Sequence, residues 1–143
     1  MPYRYLEDIA IADVAFEAWG ASLEEMFRAA AEAAMGAMIE DPRSLAEAET
    51  REVRIGRDAL DLLLHAFLEE MVYYKDADRL FVLPSELSIR EEEGGFELAG
   101  VLAGEEIDPA RHEILTDVKA VTLHHLEVRR ESPGWICRVI LDV

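Results

Sequence analysis

Two helical periodicities set among strand-like runs limit what this chain can fold into. The first begins at Ser22-Leu23-Glu24-Glu25, a capping box in which the Ser hydroxyl accepts from a free backbone N–H while Glu25 reaches back. Leu23, Met26, Phe27, Ala30, Ala34 and Met38 follow at helical spacing. Asp41-Pro42 ends the segment, because proline cannot continue a helix. The second helix starts near Asp58, read as its N-cap, and carries a wide apolar face of Leu60, Leu63, Leu64, Phe67, Leu68, Met71 and Val72. Such a face makes it the more buried of the two. Lys75 closes it as a cation set against the C-terminal end of the helix dipole.

The remaining periodicity is of strand type. Residues 3–8 and 13–19 are rich in β-branched and aromatic side chains, and Gly20 closes the second run. Residues 48–55 alternate, which puts Val53 and Ile55 on one face. Residues 79–83 and 86–92 read as two short strands divided by Pro84, and Gly94-Gly95 turns the second into residues 96–103. Residues 117–130 and 135–142 flank Ser132-Pro133-Gly134, a second hairpin. Helices placed early and strands clustered late predict an α+β fold, two helices on mostly antiparallel sheet, and exclude a doubly wound parallel arrangement. A length of 143 residues fits one domain, residues 1–143, and a hydrophobic fraction of 51% supplies its core.

Charge narrows the function. Against 14 Lys+Arg stand 31 Asp+Glu, a formal net charge of −17. Phosphate backbones are bound by Lys and Arg, so the chain is not expected to bind nucleic acid directly, nor an anionic membrane surface. No apolar stretch approaches the roughly 20 residues of a membrane span. The first residues lack the basic-then-apolar order of a secretory signal, so a soluble cytoplasmic protein is expected. The single cysteine, Cys137, rules out an intramolecular disulfide and a cysteine-cluster metal site, and reads as a buried, inert strand thiol.

Few patterns carry chemistry. Gly94-Gly95, Gly100 and Gly104 match neither a phosphate loop nor a dinucleotide fingerprint, and no G-x-S-x-G is present. His124 and His125, adjacent on a strand, point to opposite faces and do not converge on one ion. His65 falls on the polar edge of the second helix, and His112 lies in the loop Asp108-Pro109-Ala110-Arg111-His112-Glu113. Only two lysines occur, Lys75 and Lys119. Lys119 interrupts an apolar, β-branched strand, either as a snorkelling edge residue or as a placed charge. Asp13 interrupts the run Ile9-Ala10-Ile11-Ala12-Asp13-Val14-Ala15-Phe16, and Asp142 follows Val139-Ile140-Leu141. Both fit solvated strand termini. That is the usual reading of such a carboxylate; the alternative is a hard-cation site built from two strand ends, with oxygens from Val143. A stand-alone hydrolase lacks any base or nucleophile constellation beyond these acids.

The same residues resemble the archease family. Ile11-Ala12-Asp13-Val14-Ala15-Phe16-Glu17-Ala18-Trp19-Gly20, ahead of the capped helix, is similar to its N-terminal signature. Leu102-Ala103-Gly104-Glu105-Glu106-Ile107-Asp108 with His112-Glu113 resembles its Gly-Glu…Asp…His stretch. Val118-Lys119-Ala120-Val121-Thr122-Leu123-His124 resembles its Val-Lys-Ala-Val-Thr-x-His strand, and Trp135-Ile136-Cys137-Arg138-Val139-Ile140-Leu141-Asp142-Val143 its closing strand. Where archeases often carry His-Thr-Ala-Asp, this chain has Ala10-Ile11-Ala12-Asp13, keeping the carboxylate alone.

The resemblance implies a protein cofactor, not an enzyme. Its partner would be an RtcB-type RNA ligase, which joins 3′-phosphate or 2′,3′-cyclic phosphate ends to 5′-hydroxyl ends in tRNA splicing and RNA repair. The cofactor promotes guanylylation of a ligase histidine and multiple turnover. Carried over residue by residue, the family's metal ligands fall on Asp13, Asp142 and Val143, with Lys119 at the same site. Oxygen donors of this kind suit Ca²⁺, Mg²⁺ or Mn²⁺. A second expectation from the family is a chaperone-like or specificity-modulating partner of RNA-modifying enzymes such as tRNA methyltransferases.

Overall fold

The structure, a computed structural model, describes residues 2–7 and 13–143. The end of the first expected strand at Asp8, residues 9–12 of the apolar run around Asp13, and with them Ile11 and Ala12 of the N-terminal signature, lie outside the described residues. The elements run β1 (Tyr3–Leu6), β2 (Asp13–Gly20), α1 (Leu23–Met38), β3 (Glu49–Arg57), α2 (Leu60–Asp78), β4 (Leu80–Glu92), β5 (Gly95–Glu106), β6 (Ala120–Val121), β7 (Glu127–Glu131) and β8 (Gly134–Asp142). They form the expected α+β fold. Five described strands make one antiparallel sheet, β1-β2-β8, with β6 and β7 both pairing along the other edge of β8. A second antiparallel sheet has the order β3-β5-β4.

The capping box works with one change of partner. Ser22 Oγ accepts from the Glu25 N–H at 3.1 Å, but Glu25 Oε2 accepts from the Ala21 N–H at 2.9 Å, one residue upstream of the cap. The helices reverse the expected order of burial. α1 is enclosed on nearly every side, against β2 and β8 of one sheet and β4 of the other. Its buried Ala29, Ala30, Ala31, Ala33, Ala34 and Ala37 admit that close approach, while Met26, Phe27, Met35 and Met38 fill the larger gaps. α2 buries a single face and leaves Leu62 and Tyr73 exposed. The small side chains of the α1 alanines are what let two sheets close on that helix. Phe27 and Phe67 meet across the helices, ring centroids 5.8 Å apart.

Three further expectations change. Asp58 is not the cap of α2. Ala59 holds that position without a side-chain bond, and Asp61 instead accepts from the Leu62 N–H at 2.8 Å. Residues 80–92 are one strand that passes through Pro84, with a register shift between Pro84 and Glu86. Arg28 of α1 donates to the carbonyls of Pro84 (2.9 Å) and Ser85 (3.3 Å), so the bulge is satisfied from the helix. The expected strand 117–130 shrinks to β6 and β7, separated by a turn in which Thr122 Oγ1 accepts from the His124 N–H and His125 takes φ 53°.

β5 lies between β3 and β4, and there Gly104 faces the Phe81 carbonyl so closely that a Cβ would overlap it. Gly104→Ala is expected to lower unfolding stability by ~1–3 kcal/mol in urea titrations. Gly56→Ala, whose added Cβ meets nothing nearer than 3.9 Å, is expected to stay within ~0.5 kcal/mol of the parent.

Candidate functional site

Antiparallel pairing brings the first residue of β2 to the last of β8. Asp13 and Asp142 are direct cross-strand partners. Residues so paired share a face of the sheet with Cβ atoms roughly 4.5–5.5 Å apart, and two like charges there destabilise the pair. On the other edge of β8, Ala120 pairs with Asp142, and the Lys119 N–H donates to the Asp142 carbonyl at 2.8 Å. Val143 follows directly, half-buried against the core. The structure thus gathers Asp13, Asp142, Val143 and the backbone of Lys119 at one end of β8. The Lys119 side chain is exposed, and among the described residues it makes no ion pair with either carboxylate.

The donors present are all oxygen. No three His, Cys, Asp or Glu side chains converge among the described residues, so the protein's share of a cation site here is two carboxylates and the oxygens of Val143. That set fits a hard divalent ion, which takes carboxylate and carbonyl oxygens and fills its remaining positions with water. It offers nothing to a soft metal.

The segment leading to Lys119 is pinned by groups whose roles sequence reading missed. His112, read as a loop residue, is buried. Its Nδ1 accepts from the Asp108 N–H at 2.9 Å and its Nε2–H donates to Glu105 Oε1 at 2.5 Å. Glu105 Oε2 accepts in turn from the Ala46 N–H at 3.0 Å, and Arg111 pairs with the same carboxylate. One carboxylate therefore ties the end of β5 to two separate loops. Burial, with the Arg111 charge beside it, holds the His112 imidazole below its ordinary pKa. Further along, the Glu40 N–H donates to the Glu113 carbonyl and the Leu115 N–H to the Met38 carbonyl. The one sequence signal for this latch is the spacing Glu105-Asp108-His112.

Other expectations resolve simply. Lys75 does more than complement a dipole, since it is buried and pairs with Asp76 and Asp117. His65, at the helix edge, donates from Nε2 to the Val121 carbonyl at 2.7 Å. His124 and His125 sit in a turn, not a strand, with ring centroids 4.2 Å apart. Their rings pack against each other, tilted by 55°, rather than pointing to opposite faces. Cys137 is buried, and burial pushes its thiol up to about 12, which keeps it inert. A cavity of about 780 Å³ lies at the other end of β2 and β8, between Trp19, Gly20, Gly134 and Trp135. Cavity size therefore does not mark the acidic end.

The His112 latch has a pH signature. The unfolded imidazole takes up a proton near pH 6.5 while the folded one resists, so its contribution is complete above pH 6.5 and is lost as pH falls below it. His112→Gln is expected to be less stable at neutral pH and to lack this loss just below pH 6.5, as read by urea unfolding at successive pH values.

Comparison with known proteins agrees with the architecture. The model of the archease protein family matches residues 3–143. Protein archease of Methanosarcina mazei is 34% identical over 142 residues, covering 99% of this chain and 95% of its own. That of Methanopyrus kandleri is 33% identical over 143 residues and covers both chains completely. The solution structure of Methanobacterium thermoautotrophicum protein 1598 superposes with a TM-score of 0.84 at 35% identity, covering 99% of each chain. A crystal structure of a Thermotoga maritima archease, described as a possible chaperone, shares the fold, with a TM-score of 0.59 at 19% identity over 98% of each chain. A family match over nearly the whole length and relatives a third identical from end to end make this chain a member of the archease family.

Proposed function

We propose that this protein is a non-catalytic activator of an RtcB-type RNA ligase. In this reading it acts in the cytoplasm, promoting guanylylation of the ligase histidine and repeated turnover in tRNA splicing or RNA repair. It works through a divalent cation held by Asp13, Asp142 and Val143. Family membership supports the reading, and one geometric observation carries it: Asp13 and Asp142 face each other across β2 and β8, with Lys119 bound to the Asp142 carbonyl alongside. Two opposed carboxylates repel unless a cation lies between them, and a hard divalent ion supplies the missing charge. Ca²⁺, Mg²⁺ and Mn²⁺ all meet the donor chemistry. When bound, such an ion supplies positive charge at a partner's phosphoryl-transfer centre.

The rest of the molecule fits an accessory role. Among the described residues no helix is long and apolar enough to cross a membrane. A net charge of −17 repels RNA, which leaves the handling of nucleic acid to the partner. A charged end of this kind suits a transient, electrostatically steered complex. Lys119, whose backbone amide binds the Asp142 carbonyl, presents an exposed point charge free to meet an anionic group of the partner.

A second reading, a chaperone-like or specificity-modulating partner of enzymes such as tRNA methyltransferases, draws on a different surface. The exposed Leu62, Tyr73 and Leu123 line a groove with His65 and Ala66 along α2.

Single-turnover ligase guanylylation separates the two. Asp13→Asn and Asp142→Asn are each expected to abolish stimulation, while Tyr73→Ser with Leu123→Ser leaves it intact. The opposite pattern supports the second reading. In metal-free buffer each Asn variant is expected to be more stable than the parent by ~0.2–1 kcal/mol, because a like-charge pair is gone. Neither should gain further stability from added Ca²⁺, Mg²⁺ or Mn²⁺, as measured by thermal unfolding. Two Asn variants that stimulate normally would falsify the carboxylate site.

A further inference from the structure

We infer that Lys75 is a positioning residue for Lys119, acting through Asp117 to fix the segment that carries the exposed lysine. The inference rests on the reading of the acidic end given above.

The chain uses arginine for every basic residue except Lys75 and Lys119. Lys75 lies in the last turn of α2 with its side chain only 7% exposed. Its Nζ donates to Asp117 Oδ1 at 2.6 Å and to Asp76 Oδ1 at 2.5 Å. Asp117 comes from the solvent side, its own side chain 69% exposed, and closes over the ammonium. The next residue, Val118, is fully buried in the core, and the one after, Lys119, bonds through its N–H to the Asp142 carbonyl. Three successive residues are thus held by three different means: a carboxylate, a buried side chain and a backbone amide. The part left free is the Lys119 side chain.

α2 grips this segment a second time. The Val121 N–H donates to Glu69 Oε1 at 2.9 Å, and the Val121 carbonyl accepts from His65 Nε2–H at 2.7 Å. A strand edge that would otherwise carry open backbone groups is therefore closed by helix side chains. Six residues of helix from Glu69 to Lys75 span roughly 9 Å. Four residues of extended chain from Val121 to Asp117 span about 13 Å. The two lengths are close enough for α2 to hold both ends, with Lys119 midway between them in sequence. A compact ammonium with three diverging N–H groups binds carboxylates from two segments at once, here Asp76 of α2 and Asp117.

The pair can be dissected without unfolding the protein. Lys75→Met keeps the buried stem and leaves behind only Asp76 and Asp117, both largely exposed, so no charge is stranded in the core. Asp117→Asn leaves Lys75 its bond to Asp76.

Amide hydrogen exchange on the full chain is the direct test. In both variants the Lys119 amide is expected to exchange roughly tenfold faster or more, while β2 and β8 amides away from the site keep their protection. The double variant should be no faster than either single one, and Asp76→Asn should stay near the parent. Ligase stimulation should fall in step and recover in Asp117→Glu, whose longer carboxylate still reaches the ammonium. Unchanged exchange at Lys119, additive effects in the double variant, or faster exchange with undiminished stimulation would each overturn the inference. Should the unaltered protein fail to stimulate the ligase at all, the ligase reading falls, and the exchange data still decide whether Lys75 fixes the segment.

Discussion

The pairing of β2 with β8 is the contact on which the rest of the molecule depends. It runs without interruption from Asp13 opposite Asp142 to Gly20 opposite Trp135, and it joins the beginning of the chain to its end. A slip of one residue would turn the buried Phe16, Ala18, Val139 and Leu141 toward the wrong face and separate the two aspartates. Apolar burial sets the face, and a polar row fixes the register. Arg4, Glu17 and Arg138 are successive cross-strand partners on β1, β2 and β8. Glu17, almost fully buried, accepts from both arginines, and the bonds to Arg4 first and Arg138 next hold its carboxyl below the usual range against the opposing effect of burial. Because a misplaced Glu17 would be a buried unpaired charge, this row penalises every register but one.

The sequence is most legible where structure is decided locally. Ser22 and Glu25 announce the start of α1 because a cap needs only residues within one turn. Gly94-Gly95 and Ser132-Pro133-Gly134 mark hairpins for the same reason, and both hairpins are present. Reading fails where a distant element supplies the answer. Pro84 looks like a strand break because the arginine that satisfies its bulge lies on α1. The alanines of α1 look like a weaker core face than the leucines of α2, because no periodicity shows that two sheets close on one helix. His112 does lie in a loop, but its burial against Glu105 depends on a residue seven positions away.

The same division runs through the acidic end. Asp13, Asp142 and Lys119 stand out in sequence as charges set into apolar strands, and Val143 as a source of further oxygens. That they meet is a fact of topology, which local pattern does not encode. Lys75 shows the converse. Its position in the last turn of a helix explains it well enough from sequence, and that explanation hides its ion pair with an aspartate two residues before Lys119.

A net charge of −17 also has internal structure. Many of the acids meet arginines: Glu17 with Arg4 and Arg138, Glu97 with Arg54 and Arg90, Glu127 and Glu131 with Arg129. The exposed pairs among these add little to stability and mainly keep the surface soluble and mixed in sign, whereas the nearly buried Glu17 is the register lock described above. Asp13 and Asp142 are placed differently, because their cross-strand neighbours are each other. Among the described residues no arginine is bonded to either, although arginine is the basic residue this chain uses nearly everywhere. An arginine there would neutralise the site permanently, being charged at every accessible pH and held by a forked bond to carboxylate. On the proposed reading, leaving the two carboxylates to a diffusible ion would make the charge of this end depend on cation concentration and on what a partner brings to it. For the ligase activator proposed above, a neutralising charge that can come and go would be worth more than one built into the chain.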